Sequence, residues 1–301
     1  MTDRHYALNP ERACLALGGE EAASFLQGML SNDITKVSRD RAIYAAFLTA
    51  QGRLLHDLFV AQAPEEGSFI LDGDAARLDD LKRRLTMYKL RAKVTIGDAR
   101  DRLAVALLWG ASALATLGLP AEPGRARPWQ GGAVFVDPRL TTLGARAILP
   151  SATAAAALAA AGFAAAPLRD HHRLRLSLGV PEGSRDMPAE KALLLESGFE
   201  ELNGVDFEKG CYIGQELTAR MKHRGLIKKR LFPVTVEGPL PPPGTPVMLG
   251  NDEVGEMRTG LDGIGLALLK LDAAAAAMAA GNPLTAGDAL LRPTKPRWFA
   301  A

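Results

Sequence analysis

The sequence predicts an α+β protein that ends in a separate small β-domain, and three observations carry that expectation. Up to Gly225, runs with strand patterning are broken by single amphipathic helices rather than alternating with them as in a doubly wound sheet. No GxGxxG or GxxxxGK[ST] occurs, so neither a dinucleotide fold nor a P-loop organises the chain. From Lys228 the texture changes to short strands between Pro- and Gly-rich turns, the pattern of a small barrel or sandwich.

Residues 13–17 read as a strand closed by Gly18-Gly19, with Cys14 in the core. Residues 20–30 read as an amphipathic helix, because Ala22, Phe25, Leu26, Met29 and Leu30 recur at helical spacing. Ser31-Asn32-Asp33 ends it; Asn32 and Asp33 suit either a turn bonded to its own backbone or polar groups facing a cavity. Residues 43–48 and 54–61 pair as a hairpin across Thr49-Ala-Gln-Gly-Arg53. A strand at 69–72 and a helix over 74–87 follow, with Ala75, Leu78, Leu81 and Leu85 on one helical face, then strands at 94–96 and 103–108.

Beyond a Pro-, Gly- and Arg-bearing loop at 120–128 come short strands at 133–136 and 146–149. An Ala-rich helix over 151–161 is expected to take Ser151 as its N-cap. Residues 171–178 read as a strand or the edge of a helix, and neighbouring His171 and His172 lack the ligand spacing of a metal site. The last part carries strands at 231–236, 245–249, 253–259, 263–271 and 289–292, with an Ala-rich helix or insertion at 273–280. The division falls at residues 1–225 and 226–301.

The chain of 301 residues is 48% hydrophobic with a net charge of +2, ample for buried cores and against a dedicated polyanion binder. Two cysteines, Cys14 and Cys211, give no disulfide framework and no CxxC site. The Met1–His5 stretch lacks the apolar region of a signal peptide, and no apolar run reaches the ~20 residues of a membrane span. The expectation is a soluble, cytoplasmic monomer that does not enter membranes.

The stretch with the most chemistry is Lys209-Gly-Cys-Tyr-Ile-Gly-Gln-Glu216. Gly210 and Gly214 bracket Cys211, and residues 215–222 read as a helix that begins just after it. A helix N-terminus and the cations Lys209, Arg220, Lys222, His223 and Arg224 favour thiolate over thiol, whereas a small buried residue is the ordinary fate of a free cysteine. Residues 220–236 contain six Lys or Arg and no acid, and residues 82–93 contain another six. Such runs suit a solvated face, RNA phosphate or an anionic small ligand. Only Tyr88 and Tyr212 offer a base a platform there, which favours the small ligand over RNA.

This stretch, continuing as Leu217-Thr-Ala-Arg-Met-Lys-His-Arg-Gly225, resembles the signature of YgfZ-type folate-binding proteins. They are relatives of the glycine-cleavage T protein, an aminomethyltransferase, and include iron–sulfur maturation factors. Phe25-Leu-Gln-Gly28 with Ser31-Asn-Asp-Ile34, Gln51-Gly-Arg53 with Asp57, and Tyr88-Lys-Leu-Arg-Ala-Lys-Val94 agree with it. The resemblance implies a three-part clover: two intertwined α+β subdomains and a C-terminal β-barrel around a central cavity. It implies an essential thiol at Cys211 supported by Lys209, Glu216 and Arg220. It also implies a site for tetrahydrofolate or a one-carbon derivative formed by Arg12, Asn32, Asp33, Arg173, Arg175, Tyr212 and Gln215. Partners would be iron–sulfur assembly or client proteins, with a weak RNA contact at most.

The chain departs from the T-protein branch in two places. Cys211 stands where that branch has an aspartate, and Ser177 stands where it has a folate-lining glutamate; Asp79 aligns poorly with its working aspartate. The expected function is therefore a folate-binding accessory factor for maturation or repair of iron–sulfur proteins. A folate-dependent one-carbon transferase and an RNA-binding factor for tRNA modification are the alternatives. One cysteine cannot cage a cluster that takes four ligands, so any cluster is handled with a partner.

Overall fold

The structure is a computed structural model and describes residues 3–299. Met1 and Thr2 of the N-terminal stretch, and residues 300–301 of the last domain, lie outside the described residues. The first half contains β1 (His5–Leu8), β2 (Arg12–Gly18), α1 (Ala22–Met29), β3 (Ile43–Leu48), β4 (Leu54–Gln62), β5 (Phe69–Asp74), α2 (Leu78–Lys89), β6 (Thr95–Asp98) and β7 (Leu103–Trp109). Then come α3 (Ala113–Thr116), β8 (Ala126–Trp129), β9 (Gly132–Val136), β10 (Ala145–Pro150), α4 (Ala154–Ala160), β11 (Ala164–Ala165), α5 (Leu168–Ser177), α6 (Gly183–Asp186) and α7 (Gln215–Arg224). The last part holds β12 (Lys229–Glu237), β13 (Pro246–Leu249), β14 (Asp252–Leu261), β15 (Ile264–Lys270), α8 (Leu271–Ala280), β16 (Leu284–Ala286) and β17 (Ala289–Pro293).

Strands β3-β4-β5-β2-β6 form one sheet and β11-β1-β7-β10-β9-β8 another. The two are intertwined, because β1 lies between β7 and β11 in the second sheet while β2 pairs with β5 and β6 in the first. The outer face of the first sheet buries Leu15, Phe47 and Leu71 under Leu26 of α1 and Leu81 and Leu85 of α2. The outer face of the second buries Leu108, Val134 and Ala147 against Ala113 and Leu158. Between the inner faces lie Tyr44, Phe59, Phe135, Ile148 and Phe199, with Cys14 fully buried among them. Strands β12-β15-β14-β13-β16-β17 close a barrel around Val247, Met257, Leu269 and Leu291, as its short strands and turns led one to expect.

The packed space between the two sheets also holds buried charges. Arg12 pairs with Asp57 at 3.0 Å and Asp72 at 2.6 Å, and Arg146 with Asp72 at 2.9 Å. Arg139 pairs with Asp137 at 2.8 Å and Glu182 at 3.2 Å. Arg146 lies 3.7 Å from the centre of the Phe59 ring. Burial opposes the Glu182 charge, but Arg139, Arg146, Arg12 and Arg175 hold its carboxyl well below the usual carboxylate range.

Local corrections have plain causes. The helix expected at 151–161 begins at Ala154, and its cap position is Thr153, whose side chain accepts no capping bond, so Ser151 caps nothing. Residues 171–177 belong to the helix α5, with Leu178 at its C-cap; its buried face holds His171, Arg175 and Leu176, so a charged residue occupies a core position and hides the helical period. The helix expected at 74–87 begins as a short 3₁₀ turn at Ala75–Arg77, where Asp74 accepts the Ala76 N–H.

Candidate functional site

The stretch from Asn203 to Gly214 crosses the end of the first sheet and is fastened along its length. Ser31 Oγ donates to the Gly204 carbonyl at 2.6 Å and accepts the Ala46 N–H at 2.7 Å. Asn32 Nδ2 donates to the carbonyls of Tyr44 at 2.7 Å and Asn203 at 2.8 Å. The Asp206 N–H donates to the Ser31 carbonyl, and Lys36 Nζ lies 2.5 Å from Asp206. Asn32 and Asp33 are thus turn-formers that also bind the loop: Asp33 accepts from Thr35 N and Oγ1 at 3.0 and 2.8 Å. Burial opposes the Asp33 charge, but these bonds from Thr35 and one from Gln27 hold its carboxyl below the usual range.

Gln27 is the hub. Its Nε2 donates to Asp33 Oδ1 at 3.0 Å and to the Lys209 carbonyl at 3.1 Å, while its Oε1 accepts the Ile34 N–H at 2.8 Å. Lys209 Nζ returns to the Gln27 carbonyl at 2.5 Å and lies 4.9 Å from the centre of the Tyr212 ring. Burial pushes the Lys209 ammonium down, against the pull of Asp33, Asp206 and Cys211. The Ile213 N–H donates to the Gly28 carbonyl. Gln215 opens α7 and its Oε1 accepts the Tyr212 N–H at 3.1 Å, closing the turn in front of the helix. Burial pushes the Tyr212 hydroxyl up to about 12.

Gly214 is the N-cap of α7 with φ +79, and a Cβ there would meet the Thr49 carbonyl oxygen at 2.3 Å. A Cβ at Gly52 would meet Leu217 Cβ at 2.7 Å and the Gly214 carbonyl oxygen at 2.8 Å. The hairpin tip and the front of α7 touch backbone to backbone, which only glycine allows. Between these anchors Cys211 is exposed, and beside it Gly210 has φ +90 and open space around its Cα. Cys14, the other cysteine, is buried, and burial pushes its thiol well up. The result is one accessible thiol on a loop held at both ends.

Five of the residues singled out from the sequence gather here: Asn32, Asp33, Lys209, Tyr212 and Gln215, around Cys211. Glu216 and Arg220 are exposed on the first two turns of α7 and form no ion pair among the described residues. The three arginines expected at the folate site are elsewhere. Arg12 is spent on Asp57 and Asp72. Arg175 is buried on Asp186 at 2.6 Å, and Arg173 donates to the Asp262 carbonyl at 3.2 Å on the barrel. The expected grouping of Arg12, Arg173 and Arg175 around one ligand is therefore not formed. Ser177 is exposed and bonded to the Leu174 carbonyl, and Asp79 is exposed and paired with Arg100.

Sequence reasoning missed Gln27, Gly28 and Gly52 as parts of the site. Their signal lay in Phe25-Leu-Gln-Gly28 and Gln51-Gly-Arg53, whose polar and glycine positions have no role in an amphipathic pattern. A cleft of about 1060 Å³ opens beside the loop; Asn32, Lys36, Arg41, Tyr44, Phe207 and His223 are among its walls.

Two intertwined α+β units, a closed C-terminal barrel and this fastened loop define a protein of the aminomethyltransferase class of folds. Residues 13–121 match the GCVT N-terminal domain and residues 228–301 match the CAF17, C-terminal beta-barrel domain. The fold is similar to that of the glycine cleavage system aminomethyltransferase T from Bartonella henselae, with a TM-score of 0.78 and 16% identity over 99% of this chain and 87% of that one. Among curated proteins, the chain is 38% identical to the mitochondrial iron-sulfur cluster assembly factor IBA57 of Mus musculus, over 86% of this chain and 75% of that protein. The IBA57 of Homo sapiens gives the same 38%, 86% and 75%. The chain belongs to the IBA57 family of iron–sulfur cluster assembly factors. The expected cytoplasmic location is overturned by these relatives, which are named mitochondrial. No helix among the described residues is long and apolar enough to cross a membrane.

Proposed function

We propose that this chain matures iron–sulfur proteins by presenting the Cys211 thiolate to a cluster whose other ligands belong to a partner. The carrying observation is a single exposed thiol on a loop whose neighbours at 209, 213 and 214 are all pinned, so that it is positioned yet free. Iron–sulfur clusters take thiolate ligands, and one protein sulfur fills one of four such places. On deprotonation Cys211 gives its proton to solvent and its lone pair to iron; no change of oxidation state is required. The role of Lys209 is to hold the loop through Gln27, while Glu216 and Arg220 face solvent around the thiol. Replacing Cys211 by serine in a strain lacking the gene should abolish the activity of iron–sulfur enzymes, whereas Cys14→Ala should not. Full activity with Cys211→Ser would refute the role.

Tetrahydrofolate or a one-carbon derivative is the proposed ligand of the cleft beside the loop. Phe207 gives a pterin an apolar wall and Arg41 gives its glutamate tail a cation, with Lys36 and Lys222 beside it in ion pairs with Asp206 and Glu200. Titration calorimetry with tetrahydrofolate should show saturable heat that falls with Arg41→Ala. No heat at millimolar ligand would remove folate and leave the thiol role standing.

A further inference from the structure

The segment Tyr88-Lys-Leu-Arg-Ala-Lys-Val94 takes no part in the loop just described, and it carries the most exposed large apolar side chain of the described residues. Leu90 is 86% exposed, and Met87 is 62% exposed beside it. Tyr88 is 42% exposed and sets its ring edge-on against Phe47, 6.0 Å between centres. Leu90 has φ +47 and ψ −109, and the Ala92 N–H donates to the Lys89 carbonyl at 2.8 Å. This is the second position of a type II′ turn, a place that belongs to glycine. The leucine therefore costs stability twice, in its backbone and in its exposed side chain, and nothing in the folded chain offsets either cost.

The charges around it are predominantly positive. Asp80 is taken by Arg77, Arg83 and Arg84, Asp79 by Arg100, and Glu20 by Lys93. Lys82, Lys89 and Arg91 are left with no ion pair among the described residues. Methionine, tyrosine and arginine together are the composition of an interface centre. The patch is linked to the Cys211 loop through β3 and α1. Phe47, under Tyr88, bridges to Leu30 just after α1, and Gly28 of α1 holds Ile213; Leu48, next along β3, lies 2.9 Å from where a Cβ at Gly214 would stand.

We propose that Met87, Tyr88 and Leu90, ringed by Lys82, Lys89 and Arg91, are the docking surface for the protein that brings the cluster to Cys211, and that this partner presents an acidic surface with an apolar centre. The assignment rests on the thiol role proposed above. Net positive charge selects an acidic partner and speeds encounter, and the exposed leucine and methionine supply apolar area for the contact. RNA fits less well, because the patch centre is aliphatic and Tyr88, already packed against Phe47, is its one aromatic side chain.

The test uses the full chain with two variants. Leu90→Gly removes the exposed leucine and supplies the residue that the turn prefers, so the melting temperature holds or rises. Lys89→Glu with Arg91→Glu reverses the charge at exposed positions. Probes are purified cluster-loaded assembly proteins of the same organism with acidic net charge, and a short single-stranded RNA. Wild type should bind an acidic assembly protein in a salt-sensitive manner, and each variant should lose about tenfold or more in affinity. In the deletion strain, loss of iron–sulfur enzyme activity with both Leu90→Gly and Cys211→Ser supports the proposal. Loss with Cys211→Ser alone overturns the docking surface and leaves the thiol role intact; loss with Leu90→Gly alone keeps the surface and removes the thiol role. RNA affinity that falls in the variants while protein affinity does not would overturn the assignment in favour of RNA.

Discussion

Gly214 is the position at which the architecture of the loop is most exposed to a small change. Gly214→Ala adds one carbon where φ is +79 and ψ is 6. That conformation costs an L-residue about 1 kcal/mol. The new Cβ would also lie 2.3 Å from the Thr49 carbonyl oxygen and 2.9 Å from Leu48 Cβ, far inside contact distance. The hairpin tip must move, and forced displacement of packed backbone adds about 2 kcal/mol. The sum, about 3 kcal/mol, corresponds to a fall in melting temperature of about 6–12 °C for a unit of this size. Gly210→Ala is the internal comparison: its φ is +90 but nothing lies within 4 Å. It should cost about 1 kcal/mol and about 2–4 °C. Differential scanning calorimetry of both variants reads the difference directly. Equal falls would show that the hairpin and the front of α7 do not bear on each other, and would refute the pinned-loop reasoning.

Asn32→Ala removes both amide donations that join Tyr44 and Asn203, at a cost of about 2 kcal/mol, and limited proteolysis should then cut within residues 204–210; unchanged cleavage would contradict the fastening role. Burial lowers His171 from 6.5 to about 4, so between those values the unfolded chain binds a proton that the folded chain refuses. Stability should therefore fall as pH drops from 6.5 towards 4, by about 3 kcal/mol at 1.36 kcal/mol per unit. His171→Gln should flatten that slope, leaving the part due to His56, which burial, with Arg77 beside it, also lowers to about 4; an unchanged slope in urea titrations across the range would contradict it.

Elements whose own residues carry their pattern were legible in the sequence. The β3–β4 hairpin, α7 after Gly214 and the barrel strands announce themselves by alternation, turn residues and uninterrupted helix formers. Strands β1 and β11, four and two residues long, carry too few positions for any pattern and exist through their neighbours. The same logic divides the site. Cys211, Lys209, Tyr212 and Gln215 are contiguous, and their arrangement is local. Arg12 and Arg175 looked like ligand-facing cations because a sequence shows charge without its partner. Their carboxylates stand 45, 60 and 11 residues away, and only the fold brings them into contact. Gln27 escaped notice for the opposite reason: a glutamine on an amphipathic helix reads as solvated surface, and its three bonds reach a loop 182 residues on and the turn that follows α1.

The central claim is that the Cys211 sulfur engages iron on a partner's cluster, and visible circular dichroism follows that bond directly. Addition of the full chain to a cluster-loaded assembly protein should change the thiolate-to-iron bands. The Cys211→Ser chain, with an unchanged melting temperature, should leave those bands as they were. An identical spectral change with the serine variant would show that the cluster takes no ligand from Cys211 and would contradict the account.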